Sequence, residues 1–285
     1  MTKLQSKRRW RGLPRRMISL LTVLIFIILL SLPSMADNPV TVVVNGKALD
    51  RAYSFERNGV TYVRVRSFAE SVGSCRITWD PYTSSAGIVT DNLNLTIYKN
   101  RSYQLANGRC LWRNANALIV DGSIYAPLTV LAAAYGGDVS WNGVTDTATV
   151  MGAGRSIARD TQVYNSNDLL WLARIIQAEA GGESFNGKLA VGNVILNRVA
   201  SYEFPNNVYD VIFDRKWGVQ FSPTSDGSIY NTPSTESYLA AKAALEGYSL
   251  SSSILYFLNP RIAQSFWITA NRPYVFTVGN HDFYG

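Results

Sequence analysis

A chain of 285 residues, 47% of them hydrophobic, is long enough for one large core or two small ones, and its net charge of +7 would alone suggest an anionic partner. Seven of the 27 basic residues, however, crowd into the first 16 positions, and the rest balance the 20 acids, so the body of the chain carries no basic footprint for nucleic acid. A single histidine and two cysteines without ligand spacing speak against a metal centre, and nothing in the pattern asks for a cofactor.

The chain opens with Lys3, Lys7, Arg8, Arg9, Arg11, Arg15 and Arg16, then an apolar run from Met17 to Leu32, then Ser34-Met35-Ala36. A basic stretch, a short apolar core and small residues at a cleavage point make residues 1–36 read as a secretory signal peptide. The apolar run is shorter than the roughly 20 residues of a membrane-spanning helix. An uncleaved N-terminal anchor is the alternative, and the only membrane contact expected.

Residues 37–151 read as a small α+β domain of two related halves. Thr41–Val44 is a strand closed by an Asn45-Gly46 turn. Asn58-Gly59 opens a first unit of turn, strand and short helix that ends at Gly73, and Asp121-Gly122 opens a second that ends at Gly136. A strand centred on a tryptophan follows each, at Trp79 and Trp141. Cys75 and Cys110 either pair, which would stabilise by roughly 3–4 kcal/mol in the chain-entropy model, or stand free. The pattern of turn, tyrosine, strand, helix, glycine and tryptophan resembles the copper amine oxidase N-terminal-like domain. Copper chemistry is not implied, since this region has no histidine. The resemblance implies a non-catalytic accessory module that attaches to the cell wall, with a folding or spacer role as the alternative.

Residues 152–167 turn polar and irregular, as in a linker, with a helix cap expected at Ser166 or Asn167. Residues 168–285 read as helix-rich with a small sheet, which makes the whole chain α+β. The first helix runs from Asp168 to Ala178, with Leu169, Leu172 and Ile176 on one face. Glu179 continues that apolar row. Gly181-Gly182 is expected to stop the helix in a left-handed conformation. Further helices are expected at Phe185–Ala200 behind a Ser184 cap, at Asn206–Phe213 and at Glu236–Gly247, with strands at Ile254–Leu258 and Tyr274–Val278.

A carboxyl on an apolar row, at the negative end of a helix, is pushed toward its neutral form by burial and by the helix dipole. A raised pKa suits a general acid near neutral pH. The plainer alternative is a polar residue on a frayed helix end.

Ala173-Arg-Ile-Ile-Gln-Ala-Glu-Ala-Gly-Gly-Glu183 and Val191-Gly-Asn-Val-Ile-Leu-Asn-Arg198 resemble the opening of the SleB-type cell wall hydrolases, the spore cortex-lytic enzyme family. The likeness continues through Gln220-Phe-Ser-Pro223, Asp226-Gly-Ser-Ile229, Ala240–Gly247, Tyr256-Phe-Leu-Asn-Pro260, Ala263–Ile268 and Gly279-Asn-His-Asp-Phe-Tyr284. It implies a lysozyme-like domain that cuts peptidoglycan between N-acetylmuramic acid and N-acetylglucosamine, with Glu179 as the catalytic acid. The family motif carries arginine where this chain has Gly181. Glu183, just ahead of the Ser184 cap, is the rival and suits a structural role. Asp226 and Asp282 are the candidates for a second carboxylate. Gln220, Phe221, Ser222, Asn259, His281 and Tyr284 are the candidate substrate contacts, while Tyr256 and Trp267 read rather as core. The class implied is a lytic transglycosylase, in wall remodelling or in cortex lysis at germination, located outside the cell or associated with the wall or spore coat. Simple muramidase hydrolysis and a non-catalytic wall-binding protein are the alternatives.

Overall fold

The computed structural model describes residues 37–285; the segment read as a signal peptide lies outside them. Strands β1 (Asn38–Pro39), β2 (Thr41–Val44) and β3 (Lys47–Ala48) precede the first repeat unit, formed by β4 (Ser54–Arg57), β5 (Val60–Arg64) and helix α1 (Val65–Val72). A meander follows: β6 (Arg76–Asp80), β7 (Ser85–Val89), β8 (Asn94–Tyr98), β9 (Tyr103–Ala106) and β10 (Arg109–Trp112). The second unit is β11 (Leu118–Val120), β12 (Ser123–Pro127) and α2 (Leu128–Ala134), and β13 (Asp138–Asn142) and β14 (Thr147–Met151) close this half. Asn45-Gly46, Asn58-Gly59 and Asp121-Gly122 all have positive φ at both residues, the conformation that tight hairpins require.

The two units meet in one sheet of order β1-β4-β5-β12-β11, in which β5 and β12 pair antiparallel. The meander forms a second sheet and β13-β14-β2-β3 a third, with β14 parallel to β2. One core joins them. Val65 and Phe68 of α1 and Leu128 and Leu131 of α2 pack with Val42, Val44, Ile88, Leu95 and Val150. The segment after β14 is more ordered than a linker. It contains a short helix, α3 (Asp160–Val163), and Asn165, not Ser166 or Asn167, caps the next helix by accepting from the amides of Asn167 and Asp168.

That helix is α4 (Ser166–Ala180). It is followed by α5 (Phe185–Ala200), α6 (Val208–Phe213), α7 (Pro223–Asp226) and α8 (Thr235–Leu245), then β15 (Tyr256–Leu258), α9 (Trp267–Asn271), β16 (Tyr274–Val278) and β17 (His281–Tyr284). The last three strands form a small sheet of order β15-β17-β16. Ser184 caps α5 as expected, with its hydroxyl accepting from the Gly187 amide. Leu172, Ile175 and Ile176 of α4 pack against Leu189, Val194 and Ile195 of α5 and the buried alanines of α8. The polar side chains of α5 hold down the segment after α8. Asn193 bonds the backbone of Tyr248 and Leu250, Asn197 bonds Ser251 and Ile254, and Arg198 bonds Leu255.

The two halves share packing. Asn38–Gly285 form one compact unit, and Tyr103 of β9 and Cys110 of β10 are buried in the core built by α4, α5 and α8. The Tyr103 ring lies 4.4 Å from that of Phe185. The Trp112 indole donates to Asn186 at 3.1 Å, and Lys242 of α8 bonds Asp160 at 2.7 Å and the Gly108 carbonyl at 3.0 Å. Gly108 has φ +81° beside the Asp160 carboxylate, where any Cβ would collide.

Of the two alternatives for the cysteines, this packing has the thiols free. Cys75 and Cys110 are both free. Cys110 is buried in the second core, whereas Cys75 packs on the edge of the first, so the fold carries the two thiols into different clusters. The midpoint of thermal unfolding is therefore expected to be the same with and without reductant. A shift of several degrees on reduction would show that a bond had formed after all.

Candidate active site

Helix α4 continues to Ala180, so Glu179 lies in its last turn, on the row of Leu172 and Ile176, both fully buried. Burial pushes the Glu179 carboxyl up to about 7, and the nearby charge of Asp226 adds to the effect. Asp226, at the end of α7, is drawn the other way. The Ser228 hydroxyl and amide donate to its carboxylate at 2.6 and 2.8 Å and hold it below the usual range. One carboxyl kept neutral beside another kept ionised is the arrangement of an acid with an electrostatic partner. Asp282, the other candidate, accepts from Thr277 on the neighbouring strand. Among the described residues, Asp226 is the carboxylate whose charge reaches Glu179.

The helix stop differs from the reading of the sequence. Gly181 has φ −55° and ψ −33°, a right-handed conformation, and Gly182 does not adopt positive φ either. The glycine at 181 answers to space. A Cβ there would approach the side-chain nitrogen and the carbonyl oxygen of Gln177 at 2.5 Å. Gln177 is itself committed, since its side-chain oxygen accepts from the Ser234 amide and the Ser237 hydroxyl, both at 2.9 Å, and ties the end of α4 to the start of α8. A larger residue at 181 therefore has to displace this contact.

Glu183 is a latch. Burial would raise its carboxyl, but the Asn280 side chain and amide donate to it at 2.9 and 3.3 Å, and with His281 and Lys188 they bring it below its ordinary range. The turn between β16 and β17 is thus hooked onto the start of α5. Gly279, at φ +61°, sits directly on the carboxylate, and a Cβ there would lie 1.9 Å from its oxygen. Replacing Gly279 with alanine is expected to cost about 1–3 kcal/mol from the backbone conformation alone. A melting curve unchanged from the parent would contradict this packing.

The candidate substrate contacts divide. Ser222 is exposed and Gln220 half-buried, on the segment that leads into α7 and Asp226. Gln220 accepts from Arg198 at 3.4 Å, and half-buried Asn259 accepts from the Arg261 amide at 3.0 Å. Phe221 is only 3% exposed, under the Arg198 guanidinium, and Tyr284 is buried on β17, so neither presents a ring to a sugar. His281 is buried as well, its ring edge-on to Phe257 and its Nδ1 3.7 Å from Glu183; burial lowers its pKa against the opposing pull of Glu183 and Asp282. These three candidate contacts are packed inside the domain, whereas Gln220, Ser222 and Asn259 keep access to solvent. An aromatic in a matched motif is packed as readily as it is displayed.

Trp267 errs in the opposite direction. It is 53% exposed, with Arg272 stacked against it and against Tyr256. Tyr230, which the sequence reading passed over, is more than half exposed beside α4, with its ring near Trp171 and Arg174. The only signal for it was its place just after the Asp226 motif.

Residues 182–284 match the family model described as Cell Wall Hydrolase, and residues 43–150 match that of the Copper amine oxidase N-terminal domain. The second half of the chain belongs to the cell wall hydrolase family. Glu179 stands just ahead of the matched span. Spore cortex-lytic enzymes of Bacillus cereus and Bacillus subtilis (strain 168) are 39% and 38% identical to this chain over 120 residues. Those 120 residues are 42% of this chain and 45% and 38% of the two relatives, so the chain spans less than half the length of the curated relatives it matches. Among solved structures, the catalytic domain of the germination-specific lytic transglycosylase SleB from Bacillus anthracis is 38% identical. The match covers 43% of this chain and 97% of that one, with a TM-score of 0.39. The catalytic domain of the Bacillus cereus SleB protein is similar at 38% identity, 43% and 92% coverage and a TM-score of 0.39. Among the described residues no helix is long and apolar enough to cross a membrane, and no group of His, Cys, Asp and Glu is placed to hold a metal ion.

Proposed function

We propose that this chain is an exported enzyme that cleaves peptidoglycan glycan strands between N-acetylmuramic acid and N-acetylglucosamine. Residues 1–36 are its secretory signal, residues 37–151 an accessory domain at the wall, and residues 168–285 the catalytic domain. The observation that carries the reading is Glu179, a carboxyl kept neutral to about pH 7 at the end of α4, within reach of the charge of Asp226.

In this reading neutral Glu179 gives its proton to the glycosidic oxygen as the bond to the muramic sugar breaks. The charge that develops at the anomeric carbon is met by the sugar's own acetamido oxygen, with the Asp226 carboxylate as a nearby negative field. Glu179, now a carboxylate, takes the proton of the 6-hydroxyl, whose oxygen closes on the anomeric carbon and leaves an anhydro end. If water enters in place of that hydroxyl, the product is a reducing end. Asp226 gives the hydrolytic alternative its specific support, because it can orient that water.

The test uses the full chain with peptidoglycan from spore cortex and from vegetative wall, with products read by mass spectrometry. Anhydromuramic ends are expected. Reducing ends alone would assign hydrolysis, and no glycan cleavage of either substrate would overturn the enzymatic reading.

A further inference from the structure

Between the first and second sheets of the N-terminal half lies a cleft of about 300 Å³, a size suited to one or two sugar rings. Its walls come from three places in the chain: Arg64 and Arg66 at the start of α1, Thr78 and Trp79 on β6, and Ile119 and Ser123 around the second hairpin. Trp79 is 47% exposed on an edge strand, so its ring is available to a ligand face. Ile119 is also exposed and widens the apolar wall.

The cleft is cationic on one side. Arg64 lies over the Tyr53 ring, 4.9 Å from its centroid, and none of the ion pairs among the described residues engages its guanidinium. Arg66 pairs with Glu70 at 3.1 Å, but both side chains are more than half exposed. Such a pair one helical turn apart is worth only a few tenths of a kcal/mol and yields readily to a better partner.

The internal repeat supplies a built-in comparison. At the positions of Arg64 and Arg66 the second unit has Pro127 and Thr129. Both units form the same hairpin and helix, so the fold itself does not demand the arginines. Trp141, the counterpart of Trp79, is just as exposed at 48% but is not part of the cleft.

We propose that this cleft binds a peptidoglycan muropeptide, with an acetamido sugar face on Trp79 and a carboxylate of the peptide stem on Arg64 and Arg66. A flat indole and a guanidinium pair recognise a sugar ring and a carboxylate respectively. The proposal deepens the reading of the chain as a wall enzyme and rests on it for the choice of ligand. Its test does not require cleavage.

The full chain carrying Glu179→Gln is titrated calorimetrically with a disaccharide–tetrapeptide muropeptide and with a neutral chitooligosaccharide of similar size. Muropeptide binding is expected, with the neutral glycan at least tenfold weaker. Trp79→Ala, and Arg64→Gln with Arg66→Gln, are each expected to weaken the muropeptide at least tenfold, while Trp141→Ala leaves it unchanged. Equal melting temperatures across the set show that the fold is intact. Parental affinity in the Trp79 or arginine variants, equal loss in Trp141→Ala, or no muropeptide binding at all would each overturn the proposal. Failure of the cleavage assay with this binding retained would sink the enzymatic reading alone.

Discussion

Glu179→Gln is expected to lower glycan cleavage by at least about 100-fold, the lower end of what a positioned general acid contributes, and also to make the protein more stable above pH 7. Both effects have one cause. The folded carboxyl titrates at about 7 against an ordinary value of 4.5. Between those values the folded state holds its proton more tightly than the unfolded chain, so stability falls as pH rises through that window. Above pH 7 the charged carboxylate remains in its desolvated place. At about 1.4 kcal/mol per pH unit, the full cost is about 3 kcal/mol, less whatever solvent reaches the half-buried group. Glutamine removes that titration. Variant and parent should melt alike below pH 4.5 and diverge above it, the variant melting higher. Activity of the parent should decline on the alkaline side with a midpoint near 7. Asp226→Asn removes the charge that helps raise Glu179 and should move that decline to lower pH. An alkaline limb that stays in place would detach Asp226 from the site. Full cleavage by Glu179→Gln would remove Glu179 from the mechanism.

The features legible in the sequence are those that depend on neighbours in the chain. The turns at Asn58-Gly59 and Asp121-Gly122, the Ser184 cap before Phe185 and the strand Tyr274–Val278 are each set by a few adjacent side chains, and the structure places them where the pattern does. The cap of α4 was ambiguous because Asn165, Ser166 and Asn167 are all good capping residues, and the sequence does not say which hydroxyl or amide turns inward. The apolar row that singles out Glu179 is a period of three and four and needs no tertiary knowledge. What period cannot tell is whether an aromatic at a loop or strand end faces the core. Phe221 and Tyr284 went inside under Arg198 and within the last sheet, while Trp267 stayed out. Gly181 was misread for a related reason, since its lack of a side chain serves the approach of Gln177 and not a backbone angle. The packing of the meander against α8 is the feature furthest from local signals. Its contacts join residues more than 130 positions apart, and no motif announces them.

That packing leads to the second large expected effect, the loss of stability in Glu246→Ala. Glu246, just past the end of α8, has a side chain only 5% exposed. Arg109 of β10 donates to both of its carboxylate oxygens, at 2.7 and 2.5 Å, and the Tyr164 hydroxyl of the connecting segment donates to one of them. One carboxylate thus collects the meander, the connector and the helical half. The bond to Glu246 raises the Arg109 pKa against the opposing effect of burial, and burial together with the Glu246 bond raises the Tyr164 phenol. Truncating the acid strands a guanidinium and a phenol in a poorly hydrated place, which for a buried pair costs about 3–5 kcal/mol, toward the low end here because Arg109 keeps some access to water. Glu246→Ala should therefore lower the urea midpoint of the full chain, and Arg109→Ala with Glu246→Ala should recover part of the loss, because the stranded charge is gone. The double variant is the decisive comparison. If it is as destabilised as the sum of the two single changes, the pair is not coupled and the halves are held by their apolar contact alone. With coupling, the N-terminal half is a fixed wall of the helical half, and the helical half cut away at residue 168 loses both the Arg109 bond and the cover that Tyr103 and Cys110 give its core.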